Sequence, residues 1–340
     1  LSEGSLKYIS QVLENDNIFK NSEDIKRLHC EHFNSKKETK LEFENNNRSI
    51  LGKIVPNVAI DKLLNDKILN NPEYIQISDH QETILKVDDN RITISDKSGV
   101  TKSAKLLFYC ASKQENDLLS NFDFVEKKLN QVAISASVRT QRLRHNLAYQ
   151  LFTRDGPVAM LPIQEDEASV VWSLRENSSI LKLSQHDLED RLNRLFKNHV
   201  RDLRIKNLQT QKLNFSYVKK MCQNNVVLIG NIAHNIHPIA GQGFNLTIKD
   251  ISKIVFHIKK YNSLGLELNS DQVLENFIND RKFDNFVFSF GTLAMENVFS
   301  SKNNFIRYLT SKGLKLVNKS HPLKNFFIEK ATGKSDFKNY

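Results

Sequence analysis

An α/β architecture, interleaved with a β-sheet domain and followed by C-terminal helices, is the fold this 340-residue sequence predicts. Three observations carry that expectation. Val226 to Asp250 reads as an apolar strand, a turn after Gly230, a loop with Pro238 and a Gly241-Gln242-Gly243 entry into a long amphipathic helix. Gln131 to Ser173 is rich in alternating strands, and the chain beyond Asp271 is helical in period. The strand-turn-helix order puts backbone N–H groups at a helix N-terminus, where they can hold an anion or an electron-rich oxygen.

The remaining elements follow in order. Asp24 to Phe43 alternates in short runs and predicts strands of a sheet. After Pro56, the apolar residues Ile60, Leu63, Leu64, Ile68 and Leu69 keep a helical period that Asn57 is placed to cap. The runs TILKV and NRITIS predict two strands around the turn Asp88-Asp89-Asn90. Leu106 to Cys110 is a continuous apolar run suited to a buried strand. Ser184 with Asp187 marks a helix start, and Leu188, Leu192, Leu195 and Phe196 supply one face. Asn224-Asn225 predicts the hairpin turn that delivers the strand Val226 to Ile229.

Composition narrows the class. Hydrophobic residues make up 39% of the chain in orderly periods, which excludes a disordered protein. Cys30, Cys110 and Cys222 are odd in number and lack metal-ligand spacing, so buried or incidental thiols in a reducing compartment are expected. No apolar run is long enough to span a bilayer and the amino end carries no secretory signal, so the expected setting is cytoplasmic. The net charge of +10 raises nucleic acid as a partner, but its distribution argues otherwise. Between Ser301 and Tyr340 nine Lys or Arg face only Glu329 and Asp336, with apolar residues threaded among them. That pattern suits either peripheral contact with an anionic membrane surface at the inner membrane face or a solvated helical pair packed on the body.

The Val226 to Asp250 stretch closely resembles the second FAD-binding motif of the class A flavoprotein hydroxylases. It resembles above all the branch that hydroxylates the aromatic ring of ubiquinone precursors. An apolar strand, Gly-Asp-Ala-Ala-His, a Pro, Gly-Gln-Gly-x-Asn-x-Gly and an Asp form that pattern. This chain answers with Gly230, Asn231, Ile232, Ala233, His234, Pro238, Gly241, Gln242, Gly243, Asn245 and Asp250. The branch signature is matched by His145, Ala148, Phe152, Thr153, Gly156, Pro157, Ala159, Leu161, Pro162, Trp172 and Ser173. Arg281 and Asp284 match an Arg-x-x-Asp and can pair on one helical face.

The resemblance implies an FAD-binding Rossmann-like domain with its N-terminal βαβ corner missing. The family's dinucleotide fingerprint lies upstream of the segment that LSEGSLKYIS resembles, so the chain is either a fragment or the product of a gene that lost that unit. Residues 1–22, 57–125 and 214–268 would form the incomplete FAD-binding domain. Residues 23–56 and 126–213 would form the substrate sheet, and 269–340 the helical segment. Gly230, Asn231, Pro238, Ala240, Gly241, Gln242, Gly243, Phe244, Asn245 and Leu246 would bind the cofactor, with Met160, Pro162 and Trp172 lining a dry substrate cavity or simply packing the core. Two departures stand out. Asn231 replaces the Asp that accepts from the ribityl hydroxyls, and Cys110-Ala111-Ser112-Lys113 replaces a Gly-Ala-Asp-Gly tied to flavin and nicotinamide contacts. His234 and His237 are candidates for acid-base work or for structure, and no catalytic side chain is singled out. No metal is implied.

The function implied is FAD-dependent hydroxylation of a prenylated ubiquinone precursor with O2 and NAD(P)H, beside other ubiquinone-biosynthesis proteins. Two alternatives stay open: a non-catalytic subunit or scaffold, and a flavin hydroxylase for a soluble aromatic compound.

Overall fold

The computed structural model describes residues 1–15, 19–20, 22–33, 38–44, 50–74, 84–88, 91–95, 101–111, 117–238, 241–299, 303–333 and 337. From the N-terminus run α1 (Glu3–Leu13), β1 (Glu23–Ile25), the hairpin β2 (Arg27–Phe33) and β3 (Glu38–Glu44), β4 (Gly52–Ile54) and α2 (Asn57–Leu69). The meander β5 (Ile84–Asp88), β6 (Arg91–Ser95) and β7 (Thr101–Ala104) precedes β8 (Leu107–Tyr109) and the short α3 (Asp117–Ser120). Then come β9 (Phe124–Gln141), β10 (Leu147–Phe152), β11 (Pro157–Gln164), β12 (Glu167–Arg175), α4 (Gln185–Leu195) and β13 (Arg201–Val218). The strands β14 (Cys222–Gln223), β15 (Val226–Leu228) and β16 (His234–Asn235) lead to α5 (Gly243–Asn262), α6 (Asp271–Phe299), α7 (Asn304–Lys319) and α8 (His321–Thr332).

Eight strands form the main sheet in the order β16-β13-β9-β12-β11-β10-β2-β3. Among the described residues of this sheet only β2 and β10 pair in parallel, Arg27 opposite Leu147. Alternation along the strands sends Ile134, Ala136, Val138, Val158, Met160, Val170, Trp172 and Leu174 to one face, where Leu188, Leu192 and Phe196 close a single apolar core. The helix α4 starts as its sequence requires: the Ser184 hydroxyl accepts from the Asp187 N–H at 3.2 Å and donates to the Asp187 carboxylate at 2.6 Å. Between β10 and β11 the turn depends on Gly156, at φ 137, because a Cβ there would lie 1.9 Å from the Ser173 carbonyl oxygen.

A smaller sheet, β14-β15-β8, holds the strand that enters the candidate site, with β15 and β8 parallel. Val226, Val227, Leu228 and Ile229 are buried against Ile254, Val273 and Phe277 of α5 and α6. The turn before β15 uses Asn224 and Asn225, both in the left-handed region. On α7, Leu314 and Val317 pack against Cys30, Leu41 and Phe152.

Two local expectations are corrected. Pro56, not Asn57, is the N-cap of α2, and no side chain caps it; Asn57 is already helical. The preset φ of proline suits that boundary, so the helix starts without an Asn cap. The run Leu106 to Cys110 is not a buried strand: Leu107 and Tyr109 are half-buried and Phe108 is 41% exposed. Among the described residues β8 is an edge strand, covered on one side only. The strands β5 and β6 form at TILKV and NRITIS as expected, while residues 89–90 of their turn lie outside the described residues.

Candidate functional site

The site is built where β15 ends. Ile229 continues β15 into a turn at Gly230, φ 84, and one turn of 3-10 helix over Gly230–Ile232 leaves Asn231 exposed. His234 and Asn235 then pair with β13, and the chain passes Pro238 toward Gly241, φ 60, and α5. Ala240 lies outside the described residues. The first turn of α5 has Gln242 at the N-cap, where its side chain caps no backbone N–H, and carries no acidic residue. Its N–H groups therefore present uncompensated positive charge. Gly241 has nothing within 4 Å of where a Cβ would stand, and Gly243 would meet only the Ile236 side chain at 3.7 Å. The loop is therefore open to close approach by a flat group.

Asn245 secures this helix start rather than facing outward. Its Oδ1 accepts from the Ser2 N–H at 2.8 Å, and its Nδ2 donates to the Gln242 side chain at 3.2 Å. Ser2 in turn caps α1, so one buried Asn joins the starts of two helices. Leu246 is buried, and Phe244 is 48% exposed on the outer side of the same turn.

Behind the helix start lies a buried charged network. The His234 Nε2 lies 2.5 Å from Asp250 Oδ2, and Arg281 donates from Nε to Asp250 Oδ1 at 2.7 Å. Arg281 also donates to Asp284 at 2.9 Å and to the Asn285 Oδ1 at 2.8 Å, while Asn285 Nδ2 donates to Asp250 Oδ1 at 3.0 Å. Burial pushes the Asp250 carboxyl upward, but His234 and Arg281 outweigh it and hold the group below its ordinary value. The Arg281 guanidinium is opposed by burial and raised by Asp250. Such a network locks α5, α6 and the Gly230 turn together. It also assigns His234 to structure. His237 is buried too, with its Nε2 2.9 Å from the Gln131 Oε1, and it ties the Pro238 loop to β9.

Pro162, Met160 and Trp172 share one face of the sheet, all buried, and Met160 and Trp172 belong to the core closed by α4. The structure thus places them away from the loop that carries Pro238. The face that meets His237 through Gln131 bears Ala133, Ser135, Ala159, Leu161, Val171 and Ser173. The alternation of small residues in β9, Ala133-Ile134-Ser135-Ala136-Ser137, is the signal that could have identified this face.

This geometry has counterparts. The FAD binding domain family matches residues 120–261, which contain the long strands of the main sheet, the Gly230 turn and α5. The ubiquinone hydroxylase UbiL of Rhodospirillum rubrum is 27% identical over 206 residues, 60% of this chain and 48% of that protein. Over these segments the chain is similar to FAD-dependent hydroxylases of the ubiquinone branch. The 3-demethoxyubiquinol 3-hydroxylase of Escherichia coli is 27% identical over 199 residues, 58% of this chain and 51% of that one. The chain spans about half the length of the curated relatives it matches. The p-nitrophenol 4-monooxygenase PnpA from Pseudomonas putida shares the fold, with a TM-score of 0.74 at 14% identity over 98% of this chain and 87% of that one.

The residues present suit part of the family's cofactor. The uncapped α5 start and the open Gly241 cradle fit the flavin end, whose pyrimidine edge is electron-rich. No Gly-x-Gly-x-x-Gly occurs in these 340 residues to receive a pyrophosphate.

Proposed function

We propose that this chain takes part in the FAD-dependent hydroxylation of a prenylated aromatic ring in ubiquinone biosynthesis, using O2 and NAD(P)H. The observation that carries the reading is the uncapped N-terminus of α5, opened by Gly241 and Gly243, next to a loop tied to the small-residue face of the main sheet. Bound there, FAD would supply oxygen activation and two-electron storage. The N–H groups of Gly243 and Phe244 would favour negative charge at the flavin edge, while Pro238, Gly241 and Gln242 would line the ring. Asn231, exposed after Gly230, offers a neutral acceptor to ribityl hydroxyls. Ala133, Ala159, Leu161 and Val171 would present an apolar floor that limits water. Met160 and Trp172 would support that floor from behind.

A second reading is a non-catalytic member acting beside other ubiquinone-biosynthesis proteins. The neutral Asn231 favours it, since an amide oxygen accepts more weakly than a carboxylate and so weakens hold on FAD.

An FAD titration separates the two. Saturable binding at a Kd of about 1 µM or tighter, near −8 kcal/mol, abolished in Gly243→Asp, supports the first reading. An Asp in the first turn is compatible with the helix dipole, so loss of flavin in that variant reports the site and not the fold. Without saturable binding, the hydroxylase reading fails for this chain.

A further inference from the structure

On the α4 side of the main sheet, near the edge opposite β16, three potential metal ligands come together. His29 Nε2 lies 2.7 Å from Glu31 Oε1, and His199 Nε2 lies 3.3 Å from the same oxygen. One ligand atom from each of the three residues lies within 4.8 Å of the others. His29 and Glu31 are buried, 7% and 2% exposed, and the His199 side chain is only 10% exposed. We propose that His29, Glu31 and His199 form a binding site for a first-row divalent cation, zinc foremost.

The donor set is chemically apt. Two imidazole nitrogens and one carboxylate oxygen are the ligands zinc takes at roughly 2.0–2.2 Å each, which requires ligand atoms spaced about as these are. A second feature, independent of the first, sits behind His29. Its Nδ1 lies 2.9 Å from Glu42 Oε1, across the β2–β3 ladder, where His29 and Glu42 are directly paired. A carboxylate holding the far nitrogen of an imidazole is the arrangement that orients metal-bound histidines. His29 thus has a carboxylate at each ring nitrogen, so the pocket is built to hold positive charge. Lys40 also reaches Glu31 Oε1, at 3.3 Å, and its half-exposed stem can swing its ammonium into solvent when a cation arrives.

Tyr149 completes the enclosure. Its ring centroid is 4.5 Å from that of His199 and 6.0 Å from that of His29. The buried Tyr149 hydroxyl has no hydrogen-bond partner among the described residues, and so is available to a metal or to a metal-bound water. The ion would tie β2 to the turn between α4 and β13, segments remote in sequence.

The experiment uses the whole chain, stripped with chelator and titrated with Zn(II), then with Co(II). The expected result is one equivalent of Zn(II) bound with a Kd of about 1 µM or tighter, a Tm raised by the ion, and a Co(II) spectrum free of thiolate charge transfer. His199→Gln, at a side chain near the surface, should weaken binding at least tenfold while the metal-free protein keeps its circular dichroism. Glu42→Gln should weaken it by about 10- to 100-fold, the usual effect of losing an outer carboxylate. Absence of stoichiometric binding overturns the proposal. So does uptake undiminished in both variants, or a thiolate band, which would place the ion on cysteine.

Discussion

Asp250 is fully buried and its charge is answered by His234, Arg281 and Asn285 at once. Removing one partner leaves a charge stranded in an apolar surround. Arg281→Met should cost about 3–5 kcal/mol in chemical denaturation, whereas Asp284→Asn, at the more open end of the network, should cost about 1 kcal/mol or less. The carboxyl's pKa lies below its unfolded value of about 3.9, so both states are ionised above pH ~4 and the stabilisation is complete there. As pH falls below that value the unfolded state takes up the proton first, and the stabilisation drains away through the native pKa. In Arg281→Met that acid-side loss should be smaller and end at higher pH, since the guanidinium no longer depresses the carboxyl, and the less stable chain should reach its acid-unfolding midpoint at higher pH. An acid-unfolding midpoint unchanged by the substitution would count against this account. Sequence showed Arg281 and Asp284 as a pair, because their spacing is local. It did not show Asn285 or the link to Asp250, which depend on how α5 and α6 cross.

Elements with a local signature were legible: α4 from Ser184 and Asp187, the Asn224-Asn225 turn, and α5 from the Gly-Gln-Gly entry. What depended on neighbours was not. The burial of β8 depends on what pairs with it, and the face to which Met160 and Trp172 turn depends on strand register, which one residue of shift would invert. The tight turn between β10 and β11 offers a test at this scale. Gly156→Ala places a methyl against the Ser173 carbonyl in a backbone conformation that L residues avoid. It should cost at least about 3 kcal/mol, beyond ordinary strain at such positions. A melting temperature within a degree or so of the parent chain would show that the turn relaxes freely.

Across the whole molecule, charge and apolar surface coincide at the C-terminal helices. Leu316, Leu323, Phe326 and Phe327 are exposed beside Lys312, Lys315 and Lys319, while Leu314 and Val317 anchor α7 to the body. One side of α7 therefore packs on the body, and the other is open. No helix among the described residues is long and apolar enough to cross a membrane. Vesicles containing anionic lipid should sediment this chain at low salt and release it at high salt. Charge neutralisation at Lys312 and Lys315 should weaken binding by about 30-fold, at roughly 1 kcal/mol for each. Equal partition onto purely zwitterionic vesicles would remove the electrostatic argument. The parallel pairing of Arg27 with Leu147 has a consequence in time. While the chain is being synthesised, β2 and β3 leave the ribosome as an unsatisfied hairpin and wait for β10, which arrives only after the meander, β8 and the long β9. Closure of the sheet is thus a late, long-loop event, and the waiting hairpin is the stretch that a chaperone would find exposed.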